Sequence, residues 1–386
     1  MIHILVAGAG RVGLLAASML ASSGKYHVHL GDLNQPDILP DLGDKQSQLT
    51  TIKLNIANSD EAEIYIQKND IKAIVAALPY SLTRKVAEIA SATNCHYFDL
   101  TEDVATTEFV KQLAKDSQYC FAPQCGLAPG FISVVANDLM RQFDDIDTVK
   151  MRVGALPVNT SNALKYALTW STEGLVNEYV KPCISIENHE ITTVKPLADL
   201  ETITLNGNQY EAFNTSGGIG SLKESYEGKV KSMSYKTIRY PGHRDRLHFL
   251  IEDLKLKDNP ELLCEILEGA LPRVDDDVVI VYVSAEGYIK GEYCERHFAH
   301  KFYAERHFAH QWTALQLTTA SGLCVTVDLA LSQDHFKPGF VKQEMIDLDT
   351  MINNEFGHYY KNSMHRNDQS PKTVATKEFE EDILVI

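Results

Sequence analysis

The stretch Met1-Ile2-His3-Ile4-Leu5-Val6-Ala7-Gly8-Ala9-Gly10-Arg11-Val12-Gly13 decides the fold. A short apolar run enters a G-x-G-x-x-G turn, a weak signal when alone. Here a helical stretch follows from Leu14 to Ser22, and Lys25-Tyr26-His27-Val28-His29-Leu30-Gly31-Asp32 then reads as a strand ending in an acid. In such a unit Gly8 permits the tight turn, Gly10 lets backbone approach a pyrophosphate, and Gly13 lets helix and strand pack closely. The helix N-terminus at Arg11 and Val12 offers N–H groups and a positive dipole end to phosphates. Asp32, 19 residues after Gly13, is placed to bind ribose hydroxyls and would repel a 2′-phosphate. The expected cofactor is therefore NAD, ahead of NADP.

Outward from this unit, residues 1–125 alternate strands with helices. Strand candidates are Ile2–Ala7, Val28–Asp32, Thr51–Leu54, Ala73–Ala77, Tyr97–Leu100 and Tyr119–Ala122, with helices at Glu61–Lys68 and Leu82–Thr93. The alternation predicts an α/β fold with an N-terminal Rossmann domain, a doubly wound parallel sheet over residues 1–130. Ligands of such sheets bind outside the C-terminal strand ends, here Leu78-Pro79, Asp99-Leu100-Thr101 and Pro123 to Gly130. Beyond Gly130 a helix is expected at Phe131–Met140, strand alternation at Val149–Val153, and a hairpin at Thr202–Phe213 around Asn206-Gly207-Asn208. Asp277–Val283 and Gln316–Leu331 read as strands, Pro260–Leu267 and Met345–Asn354 as helices. These predict a second α+β domain with a mostly antiparallel sheet over residues 131–335, serving substrate and dimerisation. A helical segment over 336–386 is expected to return to the first domain, with a polar, mobile tail from Asn362 to Lys377.

A net charge of −16, from 36 basic and 52 acidic residues, argues against nucleic acid or an anionic membrane as partner. No strongly apolar run reaches the ~18 residues of a membrane span, and no signal-peptide pattern precedes the first strand. Seven scattered cysteines without C-x-x-C read as reduced cytoplasmic thiols. Glu-Arg-His-Phe-Ala-His occurs at both 295–300 and 305–310. Its histidine spacing matches no metal-ligand pattern, so a duplicated surface hairpin is expected and no metal site.

Three stretches of the second domain are rich in polar groups: Tyr166 to Ser171, Phe213 to Gly218, and Thr237-Ile238-Arg239-Tyr240-Pro241-Gly242-His243. Arg239 is a natural fork for a carboxylate. Together with Gly126-Leu127-Ala128-Pro129-Gly130, Val153-Gly154-Ala155-Leu156-Pro157 and Thr169-Trp170-Ser171, in this order, the sequence resembles the saccharopine dehydrogenase (glutamate-forming) and lysine 6-dehydrogenase family over about residues 1–330. The resemblance implies oxidation of a C–N bond at the lysine ε-carbon. Saccharopine would give glutamate and allysine, and lysine would give ammonia and allysine; NAD(P) takes the hydride.

By that resemblance the cofactor contacts fall on Gly8, Ala9, Gly10, Arg11, Val12, Gly13, Asp32, Asn55, Ile56, Leu78, Pro79, Gly126, Leu127 and Ala128. Substrate contacts fall on Thr101, Glu102, Trp170, Ser171, Asn214, Thr215 and Arg239. Asn55 replaces a frequent Asp, which softens an adenine contact. Ala167 stands where members often carry Lys; on a strand, Lys165 would share that face. No catalytic residue is assigned, the candidates being His243 as a proton shuttle and Asp99 or Glu102 as base or ammonium site. Asp99 and His243 each have an equally good reading as a turn cap and as packing. Cys125 is expected to line the site without a covalent role.

The expected function is an NAD-dependent dehydrogenase of lysine metabolism, saccharopine ahead of lysine, acting in the cytoplasm on a small amino-acid substrate as a homodimer. Alternatives are a carboxynorspermidine synthase-like enzyme and a non-catalytic NAD-binding sensor.

Overall fold

The computed structural model describes residues 1–36, 39–332 and 335–368. The alternation of the N-terminal sequence becomes β1 (Ile2–Ala7), α1 (Arg11–Ser22), β2 (Tyr26–Asp32), β3 (Leu49–Lys53), α2 (Ser59–Lys68), β4 (Ala73–Ala76), α3 (Tyr80–Ala92), β5 (His96–Asp99), α4 (Val104–Ala114) and β6 (Cys120–Ala122). All pairings in this sheet are parallel, and its order is β6-β5-β4-β1-β2-β3. The order reverses beside β1, so the crevice opens where the Gly8–Gly13 turn leaves the sheet. The central strands are mainly apolar because helices cover both faces: Ile4, Val6 and Val75 pack into one core, Leu5, Ala7 and Ile74 into another.

After α5 (Phe131–Met140) a second sheet is built from β7 (Asp145–Pro157), β8 (Cys183–Glu187), β9 (Glu190–Val194), β10 (Glu201–Leu205), β11 (Asn208–Asn214), β12 (Val230–Arg239), β13 (Asp277–Ile289) and β14 (Glu292–Tyr303). It is antiparallel except for the β12–β7 pair. Between its strands run α6 (Thr172–Val180), α7 (Leu222–Tyr226), α8 (His243–His248) and α9 (Pro260–Ala270). The expected hairpin is the β10–β11 pair, turning through Asn206-Gly207 with both residues at positive φ. The duplicated hexapeptide runs along β14 and into a small hairpin of β15 (Glu305–His307) and β16 (His310–Trp312). Among the described residues no three His, Cys, Asp or Glu gather as a metal cage.

The reading of Gln316–Leu331 as a strand is corrected: it is α10 (Ala314–Leu331), started by a capping box between Thr313 and Gln316. Alternating Thr and Val mimicked a strand. The helix instead lies between the two domains, buried on nearly all sides, so it shows no apolar stripe. It matches a membrane span in length and composition, but 83% of it is buried inside the protein. Cys324 on α10 touches the Ala16 carbonyl of α1, and Asp328 accepts from Tyr26 and Lys25 at 2.6 and 2.9 Å.

The chain then returns to the first sheet. Gly339–Phe340 pairs in parallel with β6 as a seventh strand. The expected helix at Met345–Asn354 is shorter, Leu348–Asn353, and a last helix runs from His358 to Asp368. It takes up the first residues of the expected mobile tail; the rest of that tail lies outside the described residues. None of the seven cysteines is in a disulfide.

Candidate functional site

The crevice between the sheets has two ends. At the first, β1 runs into the glycine turn. A Cβ on Gly8 would sit 2.3 Å from the Ala77 carbonyl oxygen, and one on Gly13 2.0 Å from that of Gly8. Both glycines serve the fold. Gly10 does not: its φ of −65° and ψ of 177° suit any residue, and a Cβ there meets nothing within 4 Å. That open space, at a helix start whose N–H groups on Arg11, Val12 and Gly13 find no acceptor among the described residues, fits a pyrophosphate.

Asp32 Oδ2 accepts from the Ala9 N–H at 2.7 Å and Oδ1 from Asn34 N–H at 2.9 Å. Its carboxylate is thereby held beside the turn, where a ribose would lie. Leu78 leans within 3.2 Å of the Gly8 Cβ position, so Leu78-Pro79 walls this end. Asn55 Oδ1 accepts from Ala57 N–H at 3.1 Å, closing its own turn. Gly126 lies against Leu100 and Thr319, and Ala128 precedes a cis peptide to Pro129. The Ile56 and Leu127 side chains are buried in the core, so at these two positions the backbone is what the crevice meets. Cys125 does not line the crevice either: it is fully buried and donates to the Ala122 carbonyl at 3.0 Å.

At the other end Glu102, just past β5, meets the second domain. A Cβ on Gly217 would come 3.0 Å from the Glu102 Cβ, and one on Gly174 3.1 Å from Glu102 Oε1 and 2.5 Å from the Trp170 ring. Gly174 sits in the first turn of α6, capped by Ser171 Oγ, which accepts from Gly174 N–H at 3.3 Å. Glu178 lies one turn further on the same face and is 8% exposed. No hydrogen bond ties either carboxylate to a described residue.

Arg239, at the end of β12, is 3% exposed. Its guanidinium stacks 4.8 Å over the Tyr166 ring, Nε donates to Tyr179 Oη at 2.9 Å and Nη1 to its neighbour's carbonyl, Ile238 O, at 2.9 Å. Nη2 has no partner among the described residues. His243 completes the chain. Nδ1 donates to the Leu164 carbonyl at 2.9 Å, so Nε2 accepts from Tyr179 Oη–H at 3.1 Å. This fixes the tautomer and leaves Tyr179 accepting from Arg239. Thr215 and Thr237 hydroxyls lie 2.7 Å apart beside Arg239.

The electrostatics follow burial. Glu178 is pushed up to about 7 by burial, with Arg239 opposing. Glu102 is held well above the usual carboxylate range by burial and by Glu178, with Lys181 opposing. Lys181 itself pairs with Asp103 at 3.0 Å. His243 is lowered to about 3 by burial and by the Arg239 charge, so it is neutral at working pH. Both ring nitrogens of His243 are engaged, by the Leu164 carbonyl and Tyr179 Oη, so its candidacy as a proton shuttle is replaced by a positioning role on Tyr179.

Asp99 is likewise corrected. It is fully buried, its Oδ1 accepts from Thr101 and Gln124 N–H and its Oδ2 from Tyr97 Oη–H, so it braces the tips of β5 and β6. Thr101 Oγ1 accepts from Asp103 N–H at 3.2 Å. Asn214 donates to Asp199 at 2.7 Å and to Lys195 O at 3.4 Å; it holds segment 195–199 rather than facing the crevice. Ala167 is buried in an irregular stretch, and Lys165 donates to Pro241 O at 3.3 Å. The strand premise for Lys165 therefore fails. Glu178, Tyr179 and Tyr235 escaped the sequence reading. The signal for Glu178 is its place on the face of α6 shared by buried Gly174 and Leu175.

The family described as saccharopine dehydrogenase NADP binding domain matches residues 4–125, and that described as saccharopine dehydrogenase C-terminal domain matches residues 126–358. Among solved structures, saccharopine dehydrogenase (L-Glu forming) from Saccharomyces cerevisiae shares the fold. Its TM-score is 0.74 at 14% identity, over 93% of this chain and 98% of that one. An engineered D-amino acid dehydrogenase bound to NADP+ matches at TM-score 0.49 and 8% identity, over 93% and 98% of the two chains. DAP dehydrogenase from C. glutamicum matches at TM-score 0.47 and 8% identity, over 93% and 98%.

Proposed function

The chain belongs to the saccharopine dehydrogenase family, an oxidoreductase of CH–NH or CH–NH2 donors using a nicotinamide cofactor, and from that premise we propose that it oxidises the ε-carbon–nitrogen bond of a basic amino acid carrying one carboxylate. Free lysine stands ahead of saccharopine, the reverse of the sequence expectation. The carrying observation is charge. The described residues of the substrate end offer one guanidinium with a free edge, Arg239, against two carboxylates, Glu102 and Glu178, while Lys181 is already paired. A single carboxylate suits Arg239, and an ammonium suits the acids. Saccharopine, with several carboxylates, would meet repulsion there.

The nicotinamide cofactor supplies hydride acceptance when bound; Gly8 to Gly13 and Asp32 are the residues to hold it. Asp32 favours NAD, although the matching family domain is described as NADP-binding. Seven cysteines without a disulfide accord with a reducing compartment, and β14, a long strand at the sheet edge, offers a surface for a second copy. Gel filtration with light scattering tests the dimer.

The reading is tested by NADH absorbance, with NAD and NADP each offered with lysine and with saccharopine. Turnover of lysine with NAD is expected. Turnover of saccharopine alone would overturn the charge argument, and preference for NADP would overturn the role given to Asp32.

A further inference from the structure

Glu102 and Glu178 come from different domains: Glu102 Oε1 reaches Gly174 in the first turn of α6, and Glu178 lies one turn further on the same face. The glycine is what allows it: a Cβ there would crowd both Glu102 Oε1 and the Trp170 ring. The groups around them are Arg239 and Tyr235 on β12, Lys181 after α6 and Asp103 ahead of α4. Of these, Lys181 is bonded to Asp103 at 3.0 Å and Arg239 to Tyr179 at 2.9 Å. Glu178 is buried and Glu102 half-buried; carboxylates so placed are normally paired or hydrogen-bonded, so two left without a hydrogen bond at a crevice mouth are poised for a ligand proton.

We propose that Glu102 and Glu178 hold one proton between them in the ligand-free enzyme and act together as the base that deprotonates the substrate ammonium. The inference rests on the amine-oxidising reading above. As substrate binds, the pair gives up its proton to solvent, so that with the substrate carboxylate on Arg239 the ammonium R–CH2–NH3+ lies at the doubly ionised pair. One N–H proton passes to the pair, leaving R–CH2–NH2 and a singly protonated, singly charged pair. The neutral amine can then lose hydride from its carbon to the oxidised nicotinamide, giving R–CH=NH2+. Water adds to that carbon, ammonium leaves, the aldehyde remains, and the pair keeps the proton it took, restoring the singly protonated ligand-free state. Like charges close together raise the upper titration step of such a pair, which brings its basicity toward working pH, where a general base is most effective. The burial-driven rise of both groups described above is consistent with this.

Two measurements test it. In enzyme labelled with 13C at the glutamate δ-carbon, without substrate, Glu102 and Glu178 should titrate as a coupled pair, with a carboxyl still protonated near neutral pH. In Glu178→Gln the Glu102 step should fall back toward the ordinary range. In the pH profile of kcat/KM, the acid limb of the wild type should follow the upper step of the pair. Glu178→Gln should move that limb to lower pH and reduce kcat/KM by about 10²- to 10⁴-fold, the usual worth of a positioned base. A merely structural Glu178 would lower activity without moving the limb.

Independent titration of both groups in the ordinary carboxylate range, with lysine turnover intact, overturns the pair and leaves the substrate reading standing. Coupled titration with no amine turnover overturns the substrate reading and the base role together. An unmoved acid limb in both Glu102→Gln and Glu178→Gln overturns the base role alone.

Discussion

At the cofactor end of the crevice, the groups that face the ligand are backbone N–H atoms at the start of α1, an empty space over Gly10 and one acid held by two backbone donors. At the substrate end they are side chains: a buried guanidinium, two buried or half-buried carboxylates, and a Tyr–His chain that orients the guanidinium. The first end is set by backbone geometry, which does not titrate. The second is set by charges that burial has driven from their ordinary ionisation. The difference predicts that steric changes damage the first end and that charge and pH changes damage the second.

The largest effect breaks the cofactor end alone. Gly10→Val should fold normally, since its Cβ meets no protein atom. It should nonetheless lose the close approach of the pyrophosphate to the N–H groups, weakening NAD binding by about 10³-fold, the value of two charge-assisted hydrogen bonds. Fluorescence titration with NADH measures this, and an unchanged melting temperature shows the fold is intact. Next, Arg239→Met should lower kcat/KM for lysine by about 10²-fold or more, as expected for removing one partner of a buried charge contact. The loss should fall mainly on KM.

A smaller effect separates the two ends by pH. His29 on β2 touches His3, His27 and Tyr65, and burial and its histidine neighbours lower it to about 4. Its folded value lies below its unfolded one, so the unfolded chain takes up protons first as pH falls. Stability is then present above about pH 6.5 and lost between there and about pH 4, worth about 3 kcal/mol. Denaturant unfolding of the wild type and His29→Gln should show the slope flattened in the variant. Glu178 works in the opposite direction: its raised value makes the folded state lose stability as pH rises from the ordinary glutamate range toward about 7. The smallest effect is at Asp32. Asp32→Ser should narrow the preference for NAD over NADP by about fivefold, the worth of one surface charge contact of about 1 kcal/mol, read from the ratio of the two KM values.

The two ends also differ in how far the sequence discloses them. The cofactor end is contiguous: strand, turn, helix and acid fall within residues 1–32, each in the period its element demands. The substrate end is assembled from Glu102, α6, the loop after β11 and the end of β12. Polar clusters marked Trp170, Ser171, Thr215 and Arg239, but Glu178 looked like any solvent-facing acid until α6 turned it inward. Asp99 and His243 misled because a strand tip and an imidazole suggest chemistry, whereas burial puts Asp99 to bracing and His243 to orienting Tyr179. α10 misled because a helix buried on all sides leaves no stripe for periodicity to detect.

The most direct test of the account is a double-mutant cycle across substrate and enzyme: kcat/KM for lysine and for lysinamide, whose carboxylate is replaced by a neutral amide, on the wild type and on Arg239→Met. Loss of the carboxylate should hurt the wild type strongly and Arg239→Met little, the two changes removing one contact. Fully additive losses would contradict the account, placing the substrate carboxylate away from Arg239.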